Sequence, residues 1–429
     1  MQPEVHVLSA AGKPIFSTAA PDDGAHASLS GLIQGISSFS KDTLRVIKTK
    51  ATTLHFLPCP PLLFFCAVPR HLHGLNVSRL LHLIKHHVLF FLTENGLRLV
   101  ESNPNYDLRH LLQGTEGLLA SLTRSWTETV WAQIDASGIR VWPMTEEARQ
   151  TLQCSMDAPG LLFGLLLRHD HVLAYRQGHK DHPLPIEDIH VLSHVVRHMP
   201  SFRTTESWTP ICLPSFNSAG FVYAYIVFTT LDICTILIST NESQTQFHTF
   251  QDLHNEHISR ALIQLVSTSP PIVALTPLPI SHYLPPQYQP LLVHFLYQHG
   301  RTHQVVYPSF QGLDDVCLFL TNGTDATACE DPAFQQEILR HYHTLHRHLH
   351  GADHRSAIRR VGVASPKDSE PVASVYFFRT DTLLVMGRVL EKQAGIIYIC
   401  CEALVTAEDA DVICDRLVAR VYNTAMYSL

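Results

Sequence analysis

The opening segment of the chain, residues 5–17, constrains the fold more than any other segment. Val5 and Val7 form one short apolar run, Ile15 and Phe16 form another, and the stretch Ala-Ala-Gly-Lys-Pro separates the two runs. Two short apolar runs with glycine and proline at the corner between them are typical of a β-hairpin. The chain is therefore predicted to open with two antiparallel strands.

Helix and strand patterns alternate after the hairpin. Residues 27–39 and 77–92 carry apolar side chains at helical spacing. Three strand-like runs lie between these two helices, at residues 44–50, 52–57 and 62–68. A further helix is predicted at residues 108–122, with Asp107 as its N-cap. This order of elements resembles the longin domain of membrane-traffic proteins, which is a five-stranded antiparallel sheet with helices on both faces.

The same order of elements recurs twice along the chain. The second set has a hairpin, a helix, three strands and a helix at residues 161–168, 172–175, 186–199, 207–213, 220–229, 233–239 and 244–266. The third set has an apolar run, a strand, a helix and three strands at residues 291–297, 316–320, 334–349, 373–379, 382–389 and 396–401. A final helix begins at Thr406, with Asp409 completing a capping box.

The length of the chain agrees with this repetition, because 429 residues are too many for one ordinary core and suit two to four domains. The prediction is an α/β fold of the α+β type with three longin domains. Their predicted bounds are residues 1–125, 160–268 and 290–429. A linker is predicted at residues 126–159 with room for a short helix, and a proline-rich linker at residues 269–289.

Composition and charge exclude several classes of protein. A net charge of -7 and a pI near 6.5 provide no general basic surface, so nucleic-acid binding is not predicted. Ten cysteines are scattered without a C-x-x-C pair, and no signal segment is recognised, which favours a cytosolic protein with free thiols. The most apolar run, residues 221–238, is interrupted by Thr-Thr-Leu-Asp and is predicted as a hairpin of two buried strands instead of a membrane helix.

Histidine is unusually frequent, with 29 residues, and two groups recur at four-residue spacing: His190, His194 and His198, and His346, His350 and His354. Each group can share one face of a helix. Zinc sites usually add cysteine or carboxylate ligands at recognisable spacing, and the chain has no H-E-x-x-H. Solvated or partly packed histidines are therefore favoured over a metal site, and neither a metal nor another cofactor is predicted. Catalytic signatures are absent too, so no covalent chemistry is predicted.

The predicted helix at residues 27–39 carries small residues, Gly31, Gly35 and Ser38, beside its apolar face. Glycine inside a helix costs roughly 0.5 to 1 kcal/mol relative to alanine, so this stripe indicates the close approach of another backbone. The approaching backbone is either a loop of the same domain or a partner protein.

Two local basic clusters are candidates for contact with an anionic bilayer: Arg45, Lys48 and Lys50, and Arg355, Arg359 and Arg360. Each basic residue near such a surface adds about 1 kcal/mol of attraction. Three of them assist recruitment but do not secure it alone. An ordinary solvated edge is the alternative for either cluster.

Three segments carry a more specific resemblance: HVLSAAGKPIFS at residues 6–17, NPNYDLRHLLQGTEGLLASL at residues 103–122 and FNSAGFVYAYI at residues 216–226. Together they resemble the Mon family of vacuolar-fusion proteins, which is also called SAND. The three segments occur in the family's order and are spread over about half of the chain.

The resemblance implies one subunit of a guanine-nucleotide exchange factor. In that family the chain pairs with a three-longin subunit of the CCZ family, and the pair activates a late-endosomal Rab GTPase of the Rab-seven type. An early-endosomal Rab and a phosphoinositide membrane surface are the implied recruiters, and a third regulatory subunit is compatible with the resemblance. By this analogy, the first longin domain contributes the surface for the partner and the GTPase, with candidate residues Lys13, Pro14, Ile15, Gly31, Gln34, Gly35 and Ser38.

Two alternatives stay open. The longin fold also builds coats and transport complexes, so a scaffold or tether subunit without exchange activity is the second hypothesis. A metal-dependent hydrolase is the third, and it rests on the histidines alone.

Overall fold

The structure is a computed structural model. It describes residues 3–9, 12–19, 31–33, 35–36, 44–70, 77–102, 112, 114–128, 139–142, 144–169, 171–179, 183–268, 279–300, 304–310, 331–349, 374–390 and 395–424. The chain divides into two compact units. The first unit comprises Met1–Gln133, Gln153–Asp170 and Tyr175–Ser259, and the second comprises Ile134–Leu152, His171–Ala174 and Arg260–Leu429.

The first five strands form one antiparallel sheet. They are β1 (Glu4–Ser9), β2 (Pro14–Ser17), β3 (Val46–Lys48), β4 (Thr52–Cys59) and β5 (Leu62–Pro69). Their order across the sheet is β2-β1-β5-β4-β3, which makes β2 and β3 the two edges. The predicted opening hairpin is confirmed, because β1 pairs with β2 in antiparallel register.

The two faces of this sheet pack into different cores. Phe64 and Cys66 contribute to one core, together with helix α1 (Val77–Ser102), whereas Phe65 packs with Leu8 and Ile33 in the other. Adjacent residues of a strand point to opposite faces, so β5 contributes to both cores. Full burial stabilises each large apolar side chain by roughly 1.5 to 3 kcal/mol.

The helices that close this first set differ from the prediction at two points. Helix α1 continues past the predicted end to Ser102, beyond a break at Thr93, where φ is 59° and ψ is 161°. Helix α2 spans Glu116–Glu128, so the helix predicted at residues 108–122 is confirmed from residue 116 on, whereas residues 108–111 lie outside the described residues. Gly114 stands before α2 with a φ of 89°, which interrupts any helix there, and its N–H donates to Glu116 Oε2 at 2.7 Å. Asp107 lies outside the described residues.

The predicted linker at residues 126–159 contains a strand and a helix, β6 (Ile139–Val141) and α3 (Glu146–Ser155). A short helix was expected, but the strand was not. Within the second unit, β6 pairs in parallel with His171 and Val172. The buried Arg149 of α3 donates to the carbonyl oxygens of Leu173 at 2.6 Å and Trp142 at 2.8 Å, so α3 is packed into its surroundings.

The second set of five strands follows the prediction closely. Its strands are β7 (Phe163–Arg168), β8 (His171–Gln177), β9 (Ser207–Leu213), β10 (Ser218–Phe228) and β11 (Ile233–Ser239), in the order β8-β7-β11-β10-β9. Its helices are α4 (Ile186–His198), α5 (Ser201–Thr204), α6 (Pro214–Asn217), α7 (Gln244–Leu253) and α8 (Ser259–Thr268). A single π-helical turn, His254–Ile258, joins α7 to α8, so the predicted helix at residues 244–266 is confirmed apart from this turn.

The third set lies in the second unit. Short helix α9 (Ile280–Tyr283) and a 3₁₀ turn (Pro286–Leu291) precede it. Its elements are β12 (Leu292–Gln298), β13 (Gln304–Val306), α10 (Pro332–Leu349), β14 (Val375–Arg379), β15 (Leu383–Leu390), β16 (Gly395–Glu402) and α11 (Ala407–Thr424). Thr406 caps α11 as predicted, because its Oγ1 accepts from Asp409 N–H at 3.1 Å. The predicted strand at residues 316–320 lies outside the described residues.

All three sets have the same topology. Numbered along the chain within each set, the strands lie in the spatial order 2-1-5-4-3. We call each set, with its helices, a module. The common strand order confirms the predicted α+β fold of repeated longin-type modules, whereas the exact domain bounds stay a prediction.

Candidate partner-binding surface and histidine cluster

The corner of the opening hairpin is a tight turn that presents two of the candidate residues. Gly12 has a φ of 75°, Ser9 N–H donates to Lys13 O at 2.9 Å, and Lys13 N–H donates to Ser9 Oγ at 3.1 Å. Lys13 and Pro14 are exposed, whereas Ile15 is half-buried against the core of the first module. Lys13 and Pro14 are therefore accessible to a partner, and Ile15 is partly committed to the fold.

The helical residues around Gly31 and Gly35 pack on the central strands of the same sheet through Ile33. Residues 31–33 and 35–36 are helical, and Ile33 is buried against β1, β4 and β5. A Cβ at Gly31 or Gly35 would meet no atom within 4 Å in the described part of the chain, and Leu32 is 61% exposed. The described residues therefore provide no close backbone neighbour for the stripe. Gln34 and Ser38 lie outside the described residues.

The first basic cluster lies along the β3 edge. Arg45, Lys48 and Lys50 are all exposed, and so is Val46 beside them. Because β3 pairs with β4 on one side and is an edge of the sheet, these cations are available for contact. Arg355, Arg359 and Arg360, the second cluster, lie outside the described residues.

The hairpin corner and the basic edge do not form a single patch. Strands β2 and β3 are opposite edges, with β1, β5 and β4 between them. At a strand spacing of about 4.8 Å, the two edges are about 19 Å apart. The sheet therefore separates the candidate partner residues at β2 from the candidate lipid residues at β3.

Within the first unit, a group of histidines lies where α4 packs on α1 and α2; we call His86, His87, His190, His194 and His198 the histidine cluster. His87 Nδ1 lies 2.7 Å from Leu83 O, and His87 Nε2 lies 3.0 Å from His194 Nδ1. His194 Nε2 lies 3.2 Å from Ser121 Oγ. One imidazole pair thus connects three helices through side chains alone.

Burial dominates the electrostatics of this cluster. Burial lowers the pKa of His87 and of His86 to about 4, and it holds the pKa of His194 well below its usual value. Lys85 and Arg197 reinforce the shift by repulsion, at His86 and His194 respectively. The paired imidazoles are therefore neutral at neutral pH.

The alternatives raised for the histidines can now be compared with their positions. Among the described residues, no group of three histidine, cysteine or carboxylate side chains is arranged to hold a metal. His194 is half-buried and hydrogen-bonded, in agreement with the interpretation of partly packed histidines. In the second group, His346 Nδ1 lies 2.7 Å from Tyr398 OH. His350 and His354 lie outside the described residues.

Sequence reasoning missed His87 and Ser121 as the counterparts of His194. One signal was available for His87: it lies three residues after Ile84 and four before Phe91, on the apolar face of the predicted helix. A polar ring in that position needs a partner when it is buried. The identity of the partner depends on packing between modules, which no local pattern encodes.

Comparison with known proteins decides the family. Residues 4–122 match the family model described as the first longin domain of FUZ, MON1 and HPS1, and residues 159–259 match the corresponding second longin domain. Together the two matches cover half of the chain. The chain belongs to the longin-domain family of FUZ, MON1 and HPS1. The predicted resemblance to the Mon, or SAND, proteins is thereby confirmed.

Curated relatives in this family carry names from vacuolar fusion. The chain is 28% identical to Protein SAND of Takifugu rubripes over 81% of its own length and 64% of that protein. It is 31% identical to Vacuolar fusion protein MON1 homolog A of Homo sapiens, over 56% of its length and 38% of that protein. It is 28% identical to Vacuolar fusion protein MON1 of Yarrowia lipolytica, over 82% of its own length and 62% of that protein. The chain thus spans less than two thirds of each of these relatives.

Two further observations concern the described helices and cysteines. None of the described helices has the length and apolar character needed to cross a membrane. The eight described cysteines are all free, as expected from their spacing.

Proposed function

We propose that the chain is one subunit of a heterodimeric guanine-nucleotide exchange factor that activates a late-endosomal or vacuolar Rab GTPase during endosome maturation and vacuole fusion. Membership of the MON1-containing longin family supports this role, and so do the vacuolar-fusion names of its relatives. The observation that carries the proposal is the surface of the first module, where Lys13, Pro14 and Gly31 are exposed and a Cβ at Gly31 or Gly35 would meet no described atom within 4 Å.

Exchange of this kind requires binding energy and no covalent catalysis. A factor that binds the nucleotide-free GTPase more tightly than the loaded one weakens nucleotide binding by the same ratio, because the two equilibria are linked. A thousandfold faster release requires about 4 kcal/mol of barrier lowering. The surface must therefore hold the switch loops of the GTPase where they no longer support magnesium and the phosphates.

The partners of this proposal divide between the two edges of the first sheet. A CCZ-family longin subunit and the Rab substrate use the β2 corner and the glycine stripe. A phosphoinositide surface uses Arg45, Lys48 and Lys50 at the opposite β3 edge, where three cations contribute about 1 kcal/mol each. This division lets the protein bind a membrane and a GTPase at once. An early-endosomal Rab and a third regulatory subunit belong to the proposal as recruiters, on the family analogy alone.

The experiment is fluorescent-nucleotide release from purified candidate Rabs by the chain co-expressed with its CCZ-family partner. The variant Gly31→Leu with Gly35→Leu is expected to slow release at least tenfold, because two large side chains fill the open stripe. Leucine favours a helix over glycine by roughly 0.5 to 1 kcal/mol, so the variant is expected to fold. If pairing and exchange rate are both unchanged, the stripe is not the surface.

A matched control is available in the same module. Gly117 is also an exposed helical glycine, and a Cβ there would meet no described atom within 4 Å. Gly117→Leu is therefore expected to leave the exchange rate unchanged. If the wild-type pair accelerates release from none of the Rabs tested, the scaffold or tether function replaces the exchange function.

A further inference from the structure

The second module holds α1 and α2 of the first module through side chains of α4. Near the start of α4, Glu187 Oε1 accepts from both Nη atoms of Arg79 at 3.2 Å. Two turns later, His194 contacts His87 on α1 and Ser121 on α2. These polar contacts of α4 with α1 and α2 therefore depend on the protonation state of a few groups.

The number of protons on the two rings determines whether the His87–His194 contact exists. In the neutral pair, His87 Nδ1–H donates to Leu83 O, which leaves His87 Nε2 as an acceptor. His194 Nδ1–H then donates to His87 Nε2, while the single hydroxyl hydrogen of Ser121 is shared between Leu118 O at 2.7 Å and His194 Nε2 at 3.2 Å. Both facing nitrogens of the pair are thus satisfied with one proton per ring. When both rings are doubly protonated, two N–H donors and two positive charges face each other across 3.0 Å.

We propose that the His87–His194 pair is a proton-sensitive latch between the first and second modules, closed while at least one of the two facing ring nitrogens lacks a proton and open when both rings are doubly protonated. The latch is a regulatory contact within the first unit, and it does not depend on the exchange activity proposed above.

The charged groups around the latch favour its opening in acid. The groups that act on the two rings directly are His86, His190, Arg197 and His198. The neighbouring histidines of α1 and α4 are in turn surrounded by Arg79, His82, Lys85, Glu187 and Arg203. Of these, Glu187 is the carboxylate, and it already forms an ion pair with Arg79. A second positive charge on the His87–His194 pair therefore gains no free counter-ion from this group. Ser121, which contacts the pair from α2, is neutral.

The direction of the pH dependence follows from proton linkage. Burial lowers the pKa of His87 from 6.5 to about 4 in the closed state, whereas an exposed imidazole in the open state regains the ordinary value. The open state therefore binds more protons below pH 6.5, and acidification favours it. For His87 alone, the opening constant is expected to rise about tenfold between about pH 7.5 and about pH 5.5.

Asp188, the neighbour of Glu187 on α4, titrates in the same range but with the opposite sign. Burial raises the pKa of its carboxyl to about 6, although the N–H groups of Ser215 and Phe216 partly oppose this shift. A carboxyl with a raised pKa binds a proton more tightly in the folded state, so its protonation stabilises the fold as the pH falls. Asp188 therefore cannot account for opening in acid.

Hydrogen–deuterium exchange of the full chain, corrected for the pH dependence of intrinsic exchange, tests the latch. Residues 83–90 and 187–198 are expected to lose protection by about tenfold between about pH 7.5 and about pH 5.5. His87→Gln retains hydrogen-bonding capacity, removes the group whose shifted pKa gives the tenfold change, and is expected to abolish most of this pH dependence. His257→Gln, at an exposed histidine of the same unit, is the control and is expected to retain it.

The latch is overturned if the wild type and His87→Gln show the same pH dependence of protection in these segments. A measurement on the wild type alone covers the case in which His87→Gln does not fold. Exchange of the imidazole C2 hydrogen reports the pKa of His87, which is expected well below 6.5. A value at or above 6.5 overturns the latch.

Discussion

Two histidine-bearing helices of this chain, α4 in the second module and α10 in the third, use the same residue in different ways. On α4, His194 contacts a second imidazole, His87, on a helix of another module. On α10, His346 contacts the hydroxyl of Tyr398 on β16 of its own module, at 2.7 Å, and His348 stacks on Tyr376 at 4.3 Å between ring centroids. One set of histidines connects two modules, and the other makes contacts within a single module.

The partner determines how each contact responds to a proton. A tyrosine hydroxyl both donates and accepts, so the contact between His346 Nδ1 and Tyr398 OH can form with either protonation state of the ring. The His87–His194 contact requires that at least one of the facing nitrogens lack a proton. A histidine–histidine contact is therefore sensitive to pH, whereas a histidine–tyrosine contact tolerates a change of pH.

The largest predicted effect tests whether packing dominates at α10. Tyr342 is fully buried on α10, its hydroxyl is 3.1 Å from His294 Nδ1, and its ring centroid is 5.8 Å from that of Tyr398. Tyr342→Ala is expected to lower the free energy of unfolding by about 3 to 5 kcal/mol, as for other buried aromatic side chains. Chemical denaturation of the full chain measures this loss.

A second tyrosine beside α10 provides the control. Tyr376 is half-buried on β14, an edge strand of the third module. Tyr376→Ala is therefore expected to lower the free energy of unfolding much less than Tyr342→Ala does. Equal losses for Tyr342→Ala and Tyr376→Ala would contradict the view that the buried face of α10, and not its histidines, holds the third module together.

The next prediction separates the two titrating groups of α4. Because Asp188 gains a proton near pH 6 in the folded state, it offsets part of the acid destabilisation caused by the histidine cluster. Asp188→Asn removes this offset. Between about pH 6 and pH 5, the variant is expected to lose about 1 kcal/mol more unfolding free energy than the wild type. Denaturation at a series of pH values measures the two slopes.

An exposed carboxylate on α11 provides the control for Asp188. Asp409 is an exposed carboxylate at a helix start, where it accepts from Thr406 Oγ1–H at 2.7 Å. Asp409→Asn is expected to leave the slope between pH 6 and pH 5 unchanged. If Asp188→Asn also leaves the slope unchanged, the carboxyl does not titrate in this range and the offset does not exist.

The fold was largely predictable because its information is local and repeated. Apolar runs separated by turn residues located the strands of the second module to within about two residues, and the capping box of Thr406 located the start of α11. The failures occurred where tertiary contacts decide the structure. Strand β6 has three residues and exists through its parallel neighbours, and Gly114, with its positive φ, interrupts the helix predicted at residues 108–122 ahead of α2.

The candidate site was less predictable than the fold. The sequence showed that Gly31 and Gly35 share a helical stripe, but not that Lys13 and Lys48 lie at opposite edges of one sheet, because strand order is not a local property. It also showed the four-residue spacing of His190, His194 and His198, and the lack of cysteine or carboxylate ligands at recognisable spacing favoured packed histidines over a metal. The second half of the pair, His87, is 107 residues away and becomes a neighbour through the packing of α4 on α1.

The smallest predicted effect concerns the remaining polar contact along α4. The Arg79–Glu187 ion pair has side chains that are 22% and 30% exposed, so its attraction is partly screened by solvent. A double-mutant cycle of Arg79→Ala and Glu187→Ala is expected to give a coupling of about 0.2 to 1 kcal/mol that shrinks as salt is added. Denaturation at about neutral pH, at low and high ionic strength, measures it.

The ion pair also distinguishes the two ends of α4. Burial alone would raise the pKa of the Glu187 carboxyl, but its own backbone N–H and the Arg79 guanidinium favour the charged form more strongly and hold the pKa below its ordinary value. Glu187 therefore stays charged between pH 7 and pH 5.5. The coupling energy between Glu187 and Arg79 should therefore be the same at both pH values. The coupling energy between His87 and His194 should become smaller as the pH is lowered from 7 to 5.5. If the two couplings change in parallel, α4 undocks from α1 as a whole and the imidazole pair is not a separate latch.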